Sequence, residues 1–138
     1  MRFMIIRKAD AQTEAGALPT PELMKAMGRY FDAMSKAGIV REGNGLKPTA
    51  RGARISFKDG RPTVIDGPFT ESKELIAGYH ILEVASLAEA IEWTSRWPAE
   101  DGDGRLQLEI RPVIEPEDFG PEFTADMREM RAKIEGHA

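Results

Sequence analysis

Two side chains in the middle of this 138-residue sequence have the chemistry of a catalytic pair. Asp66 stands before Gly-Pro at the end of an apolar run, where a carboxylate can act as a general base or anchor a ligand. The alternative is that Asp66 accepts backbone hydrogen bonds and shapes a turn. His80 is the one imidazole away from the C-terminal end, and it is either a base or a hydrogen-bonded core residue. Asp66 and His80 are therefore candidate catalytic residues, which could also act as a pair.

Four other residues are candidates for ligand binding. Tyr79 adjoins His80 on the opposite strand face, where its hydroxyl could contact a ligand or its ring could simply fill space. Arg7, Arg54 and Arg111 lie near the ends of predicted strands or at inward-facing positions. A guanidinium can bind a carboxylate or phosphate through its planar fork. The alternative is that these arginines form ordinary ion pairs at the surface or between subunits.

Several kinds of site have no support in the sequence. There is no cysteine, which excludes disulfides, thiolate nucleophiles and thiolate metal ligands. No His-x-x-x-His motif or carboxylate cluster indicates a metal site, so we expect neither a metal nor a cofactor. The glycine-containing segments 43–45 and 102–104 lack the sequence context of phosphate loops, and we interpret both as turns.

The composition is that of an ordinary soluble globular domain, with 41% hydrophobic and 30% charged residues. No apolar run approaches the roughly 20 residues that a membrane-spanning helix needs. The net charge of −4 argues against a broad surface for nucleic acid. We therefore expect a cytoplasmic protein that contacts neither nucleic acid nor membrane directly.

Hydrophobic periodicity and helix signals predict an α+β domain with the order β-α-β-β-β-α-β. Thr20 is a suitable N-cap for the first helix, and Ser86 with Glu89 resembles a capping box for the second. Asp59-Gly60 is typical of a tight hairpin turn. The predicted elements are strand 3–8, helix 21–37, strands 53–58, 61–65 and 76–84, helix 87–97 and strand 106–113. Removing one hairpin arm leaves the split βαβ pattern of ferredoxin-like folds.

The faces of these elements predict a core and a second subunit. The first strand begins apolar on both faces, which requires cover on both sides. Helices can cover one face, and we expect a second copy of the chain to cover the other, giving a homodimer. Phe31 and Ile91 lie in the middle of apolar helical stripes and are predicted core residues.

Two regions are expected along the chain, a domain at 1–115 and a C-terminal helical extension at 116–138. A helix is expected from about 120 to 134, because Phe123, Met127, Met130 and Ile134 recur at helical spacing. This stripe could pack on the same domain or on the partner subunit.

A longer pattern runs through the candidate catalytic residues. Asp66-Gly67-Pro68-Phe69 ends one strand, a charged linker follows, and Gly78-Tyr79 lies in the next strand. The pattern resembles the signature of the DGPF proteins, a branch of the YciI-related family, and the resemblance extends from Met1 to about Pro112. It implies a ferredoxin-like α+β sandwich with an antiparallel sheet, which pairs into a dimeric α+β barrel. The resemblance to the wider YciI-related family implies a His-Asp pair in a cleft. This chain has no histidine in its first strand or first helix, so that pair is not carried over to it residue by residue.

The resemblance leaves two hypotheses for function. One is a small cofactor-free enzyme that does acid-base chemistry on an organic metabolite in the barrel cavity, as related barrel families include isomerases and cofactor-free oxygenases. Asp66 or His80 would then be the base, and an arginine would stabilise the anion. The other is a non-catalytic ligand-sensing or regulatory module, because DGPF-type domains occur together with sigma factors. The first implies a small-molecule ligand, and the second implies a sensed ligand or an association with a sigma factor.

Overall fold

The computed structural model describes residues 1–70 and 73–136, and its paired strands are antiparallel. In chain order the elements are β1 (Arg2–Lys8), α1 (Ala11–Glu14), α2 (Pro21–Lys36), β2 (Val40–Gly45), β3 (Ala53–Lys58), β4 (Arg61–Asp66), β5 (Ile76–Glu83), α3 (Leu87–Thr94), β6 (Leu108–Pro112) and α4 (Pro121–Gly136). The predicted α+β class is confirmed.

Four strands form the main sheet in the order β2-β5-β1-β6. The central strands are β5 and β1, and α2 and α3 are the long connecting helices of two interleaved βαβ units, so the ferredoxin-like prediction is confirmed. The prediction of which strand is inserted into this pattern was wrong. The inserted unit is the whole β3–β4 hairpin, which forms a separate two-stranded sheet, and the fourth strand of the main sheet is β2.

β2 includes the segment 43–45, which the sequence predicts to be a turn. Glycine and asparagine are depleted in strands, which is why this prediction failed. Gly43 pairs with His80 of β5, and Asn44 pairs with Tyr79. A Cβ atom at Gly43 would lie 3.0 Å from Cε1 of Phe31 and 3.2 Å from Cβ of His80. The missing side chain therefore lets α2 approach the sheet beside His80.

The core lies between the main sheet and the helices α2 and α3. Its largest fully buried apolar side chains are Phe3, Ile5, Met34 and Leu82. Phe31 is half-buried and packs against this cluster, whereas Ile91 is 48% exposed. The prediction of Ile91 as a core residue is therefore wrong. α3 turns Ala90 and Thr94 inward and packs Trp93 on the core, because the large indole buries more apolar surface than an isoleucine does.

The β3–β4 hairpin is exposed along almost its whole length. Asp59 and Gly60 have φ angles of 50° and 76°, which confirms the predicted two-residue turn. Ile55 pairs with Val64 on one face of the hairpin, and Phe57 follows on the same face; all three are exposed. A single copy of the chain therefore leaves an apolar hairpin face without cover.

The C-terminal extension contains α4 and is tied to the domain through Glu115. This carboxylate accepts a hydrogen bond from Nε of Arg2 at 2.8 Å and another from Nη1 of Arg131 in α4. Arg128 of α4 also donates to Glu117. The start of the extension is thus held against its own chain. Among the described residues, neither α4 nor any other helix is long and apolar enough to cross a membrane.

Candidate functional site

A cavity of about 260 Å³ lies between α2, the ends of β1, β2 and β5, and the segment after α3. An apolar cavity of about 150 Å³ holds benzene, so this one has room for a substituted ring. The lining combines aromatic side chains with several polar and charged ones. The residues on which its chemistry depends are Arg7, Phe31, Tyr79, His80, Trp97 and Asp101.

His80 is the most deeply buried polar residue of this lining, with 1% of its surface exposed. Its ring stacks on Trp97, with centroids 5.4 Å apart and planes 18° apart, and meets the edge of Phe31 at 5.4 Å. Within the described residues, Nε2 has no hydrogen-bond partner. Burial lowers the pKa of His80 to about 4, so the imidazole is neutral at physiological pH.

Arg7 lines the same cavity, but protein acceptors occupy its guanidinium. Nη2 donates to Oδ1 of Asp101 at 2.6 Å, and Nε donates to Oδ2 at 3.2 Å. Nη1 donates to the carbonyl oxygen of Lys8 at 2.8 Å, and both terminal nitrogens contact Oδ2 of Asp10 at 3.3 Å. All five N–H groups therefore have an acceptor. Burial alone would lower the pKa of Arg7, but Asp101 and Asp10 outweigh it and raise the pKa.

The charged groups of this network sum to minus one, because the single cation Arg7 contacts two carboxylates, Asp10 and Asp101. The backbone amide of Thr13 donates to Asp10 and lowers the pKa of that carboxyl; burial opposes this effect and Arg7 adds to it. Asp10 is therefore ionised at neutral pH. In the part of the chain that the structure describes, no group of three or more His, Asp or Glu side chains is placed to hold a metal ion.

Two residues of the cavity were missed by sequence reasoning. Asp101 begins a 3-10 turn in a segment that carries no motif, and Trp97 lies just beyond α3. Nε1 of Trp97 donates to Oδ2 of Asp101 at 2.9 Å. Asp101 therefore connects Arg7 to the indole that stacks on His80. The only local signal was a tryptophan followed four residues later by an aspartate, and nothing in it indicates Arg7.

Tyr79 is among the residues that line the cavity, but its side chain lies on the sheet face opposite His80, the face of Ile6, and belongs to a small polar group. Nδ2 of Asn44 donates to the Tyr79 hydroxyl at 3.1 Å, and that hydroxyl is 3.3 Å from Oε2 of Glu42. Asn44 and Tyr79 are direct partners in the β2–β5 register. This group therefore lies on the side of the sheet opposite the His80 ring.

The structure places Asp66 away from His80. Asp66 is exposed at the end of β4, opposite Ala53, and does not line the His80 cavity. The His80–Asp66 pair that was considered from the sequence is not formed, because Asp66 belongs to the separate two-stranded sheet. Of the predicted site residues, the structure brings together only Arg7, Tyr79 and His80.

The residues after Asp66 have a structural role. A Cβ atom at Gly67 would lie 1.7 Å from the carbonyl oxygen of Thr49, so only glycine fits there. The Gly67–Pro68 peptide bond is cis. The amide of Phe69 donates to Oγ1 of Thr49 at 3.1 Å, and Oγ1 of Thr49 donates to Glu14 at 2.6 Å. The Asp-Gly-Pro-Phe segment thus fastens the hairpin to the body of the domain.

The two remaining arginines lie elsewhere. The guanidinium of Arg54 lies 4.0 Å from the centroid of the Phe69 ring, beside a different cavity. Arg111 is on the outer face of β6, where its side chain is 69% exposed and 3.5 Å from Glu109. Their roles in ligand binding stay predictions.

Comparison with known proteins identifies a family. Residues 1–115 match the YCII-related domain. An uncharacterized protein of Rhizobium meliloti (strain 1021) is 34% identical over 90 residues, which cover 65% of this chain and 69% of the relative. The solved structure of 5-chloro-2-hydroxyhydroquinone dehydrochlorinase from Burkholderia phenoliruptrix AC1100, in complex with 2,5-dihydroxybenzoquinone, is 14% identical, and the alignment covers 83% of this chain and 95% of that one with a TM-score of 0.48. That structural similarity is too low to support an inference about function. Because the domain match extends over residues 1–115, this chain belongs to the YCII-related domain family.

Proposed function

We propose that this protein binds a small organic molecule in the His80 cavity and moves a proton on it, with His80 as the acid-base group. The observation that carries the proposal is a buried, neutral imidazole whose Nε2 lacks a partner beside a cavity of ring size. An unsatisfied buried polar group costs roughly 1–3 kcal/mol, which a ligand could recover. Strongly perturbed titratable groups in clefts are also typical of functional sites.

The proposed reaction is an isomerisation by proton transfer. His80 would take a proton from one position of the ligand and return it to another, so the reaction balances without an oxidant or a reductant. The low pKa of His80 favours the return step, because the imidazolium releases its proton readily. The excess negative charge of Asp10 and Asp101 over Arg7 would favour the transient imidazolium.

Trp97 and Asp101 would position the acid-base group in this proposal. Trp97 covers one face of the His80 ring. Asp101 accepts a hydrogen bond from the indole N–H, which would fix the orientation of the Trp97 ring. Arg7 in turn holds Asp101 with two hydrogen bonds. The arginine is thus a supporting residue and does not contact the reacting atoms.

The test is hydrogen exchange on a probe in D₂O. Cyclohexanone and similar enolisable ring ketones are incubated with the protein, and deuterium incorporation is followed by NMR. Replacing His80 by Gln should reduce catalysed exchange by about 10²-fold or more, the usual effect of a general base. Arg61→Gln is the matched control and should exchange like the wild type, because Arg61 is exposed on the β3–β4 hairpin and does not line the His80 cavity. Equal exchange rates in wild type and His80→Gln would rule out the assigned role.

We also propose that two copies of the chain form a homodimer through the outer face of the main sheet. Met4 and Ile6 of β1 remain only half-buried on this face in a single copy, whereas alternate residues of β1 are buried under the helices. Uncovered apolar surface of this kind marks interaction sites. The association with a sigma factor that was considered from the sequence receives no support from the family match or from the relative, and it is not proposed.

A further inference from the structure

We infer that the His80 cavity selects an uncharged, planar ligand that carries a hydroxyl group, and that it discriminates against carboxylates and phosphates. This inference rests on the proposed function, because it names the class of molecule that the same cavity would accept. It also revises the expectation that an arginine binds an anionic ligand there.

The first reason is the state of Arg7. Among the described residues it is the one cation that lines the cavity, and each of its five N–H groups already has a protein acceptor. A carboxylate ligand would have to displace Asp10 or Asp101 to gain a guanidinium hydrogen bond. It would also approach a network whose net charge is already minus one. Both effects weaken the binding of an anion.

The second reason is the hydrogen-bonding capacity of His80. A neutral imidazole has one N–H and one lone pair, and either can be on Nε2. A hydroxyl group both donates and accepts, so it can satisfy the unpartnered Nε2 in either tautomer. A carboxylate can only accept, and an ammonium group can only donate.

The third reason is the shape and polarity of the walls. Phe31 and Trp97 present aromatic surface, and Met27 adds a flexible apolar side chain. Aromatic walls favour a flat ring, which can stack or meet them edge to face.

The test compares three one-ring probes, namely phenol, benzoate and benzylammonium, at neutral pH. Trp93→Phe makes Trp97 the only tryptophan, so quenching of its fluorescence reports binding beside His80. NMR chemical-shift changes of the same samples give an independent measure of each affinity. We expect phenol to bind at least about threefold more tightly than benzoate, because repulsion by a partly screened charge contributes a factor of this size. Phenol should also bind more tightly than benzylammonium, because the ammonium would have to lose its hydration in the aromatic cavity.

Asp10→Asn supplies the matched variant. Asparagine caps a helix as well as aspartate does, so α1 should be preserved, while one negative charge beside Arg7 is removed. The affinity for benzoate should rise about twofold to fivefold, with that for phenol unchanged. If the protein without the Asp10→Asn substitution bound benzoate or benzylammonium more tightly than phenol, the inference would be overturned, although the cavity would still be a ligand site. Failure of all three probes to bind would overturn the proposed function itself.

Discussion

Arg7 and Asp101 are 94 positions apart in the chain, yet Nη2 of the arginine lies 2.6 Å from Oδ1 of the aspartate. Both side chains are largely buried. The pair joins the end of β1 to the segment after α3 and so closes one side of the His80 cavity. Because Trp97 donates to the same carboxylate, the pair also sets the position of the ring that stacks on His80.

Replacing Arg7 by Met should destabilise the fold strongly. The substitution removes the cation and leaves Asp101 buried without its charge partner, which costs roughly 3–5 kcal/mol in the free energy of unfolding. Urea denaturation measures the loss. Arg61→Met is the control and should change stability by less than about 0.5 kcal/mol, because that arginine is exposed on the β3–β4 hairpin. Similar losses in the two variants would mean that the Arg7 network does not stabilise the protein.

The stability of the protein should depend on pH through His80. Its pKa is 6.5 in a model peptide and about 4 in the folded chain. Between these values the unfolded chain binds the additional proton, so the free energy of unfolding should fall as the pH is lowered from about 6.5 to about 4. The contribution is fully present above pH 6.5 and amounts to roughly 3 kcal/mol, at about 1.4 kcal/mol for each unit of pKa.

The comparison with His80→Gln isolates this effect from that of the carboxylates. Unfolding is measured in denaturant at several pH values for both proteins. The difference in stability between wild type and variant should shift by roughly 3 kcal/mol in favour of the variant as the pH drops from 7 to 4. A constant difference across that interval would show that His80 titrates normally in the folded chain.

Phe31 and Ile91 should respond differently to truncation. Phe31 packs against the core cluster and against His80, so Phe31→Ala should destabilise by about 3 kcal/mol, the lower end for a large aromatic. Ile91 is exposed, and Ile91→Ala should cost less than about 1 kcal/mol. Denaturant unfolding of both variants checks this order. A larger loss of stability for Ile91→Ala than for Phe31→Ala would show that Ile91 is a core residue, as the sequence predicts.

The proposed homodimer should depend on the outer face of the sheet. Light scattering at micromolar concentration should report about twice the chain mass of 15.3 kDa. Ile6→Glu places a charge on the outer face of β1 and should yield a monomer, because burying an unpaired carboxylate is costly. Phe57→Glu on the exposed hairpin is the control and should remain dimeric. Dissociation by Phe57→Glu alone would move the interface to the hairpin.

Local interactions explain most of what could be predicted. Thr20 caps α2 through the amide of Leu23, and Ser86 caps α3 through the amide of Glu89. The capping box at α3 is incomplete, because Glu89 accepts from Ala85 instead of from Ser86. These signals involve residues within four positions of each other, so their physics is contained in the sequence.

Positions far apart in the chain determined the rest. β2 became a strand despite its glycines because β5 supplies its hydrogen bonds and because Gly43 leaves room for Phe31 beside His80. The candidate site contains Arg7 and His80, because the register of β1 and β5 places both on one face of the main sheet. It does not contain Asp66, because Asp66 lies in a separate hairpin. The sequence by itself determined where α2 and α3 begin, the hairpin turn and the family. Only the tertiary structure decided which charges meet, since side chains distant in sequence come together only when the strands have paired and the helices have packed.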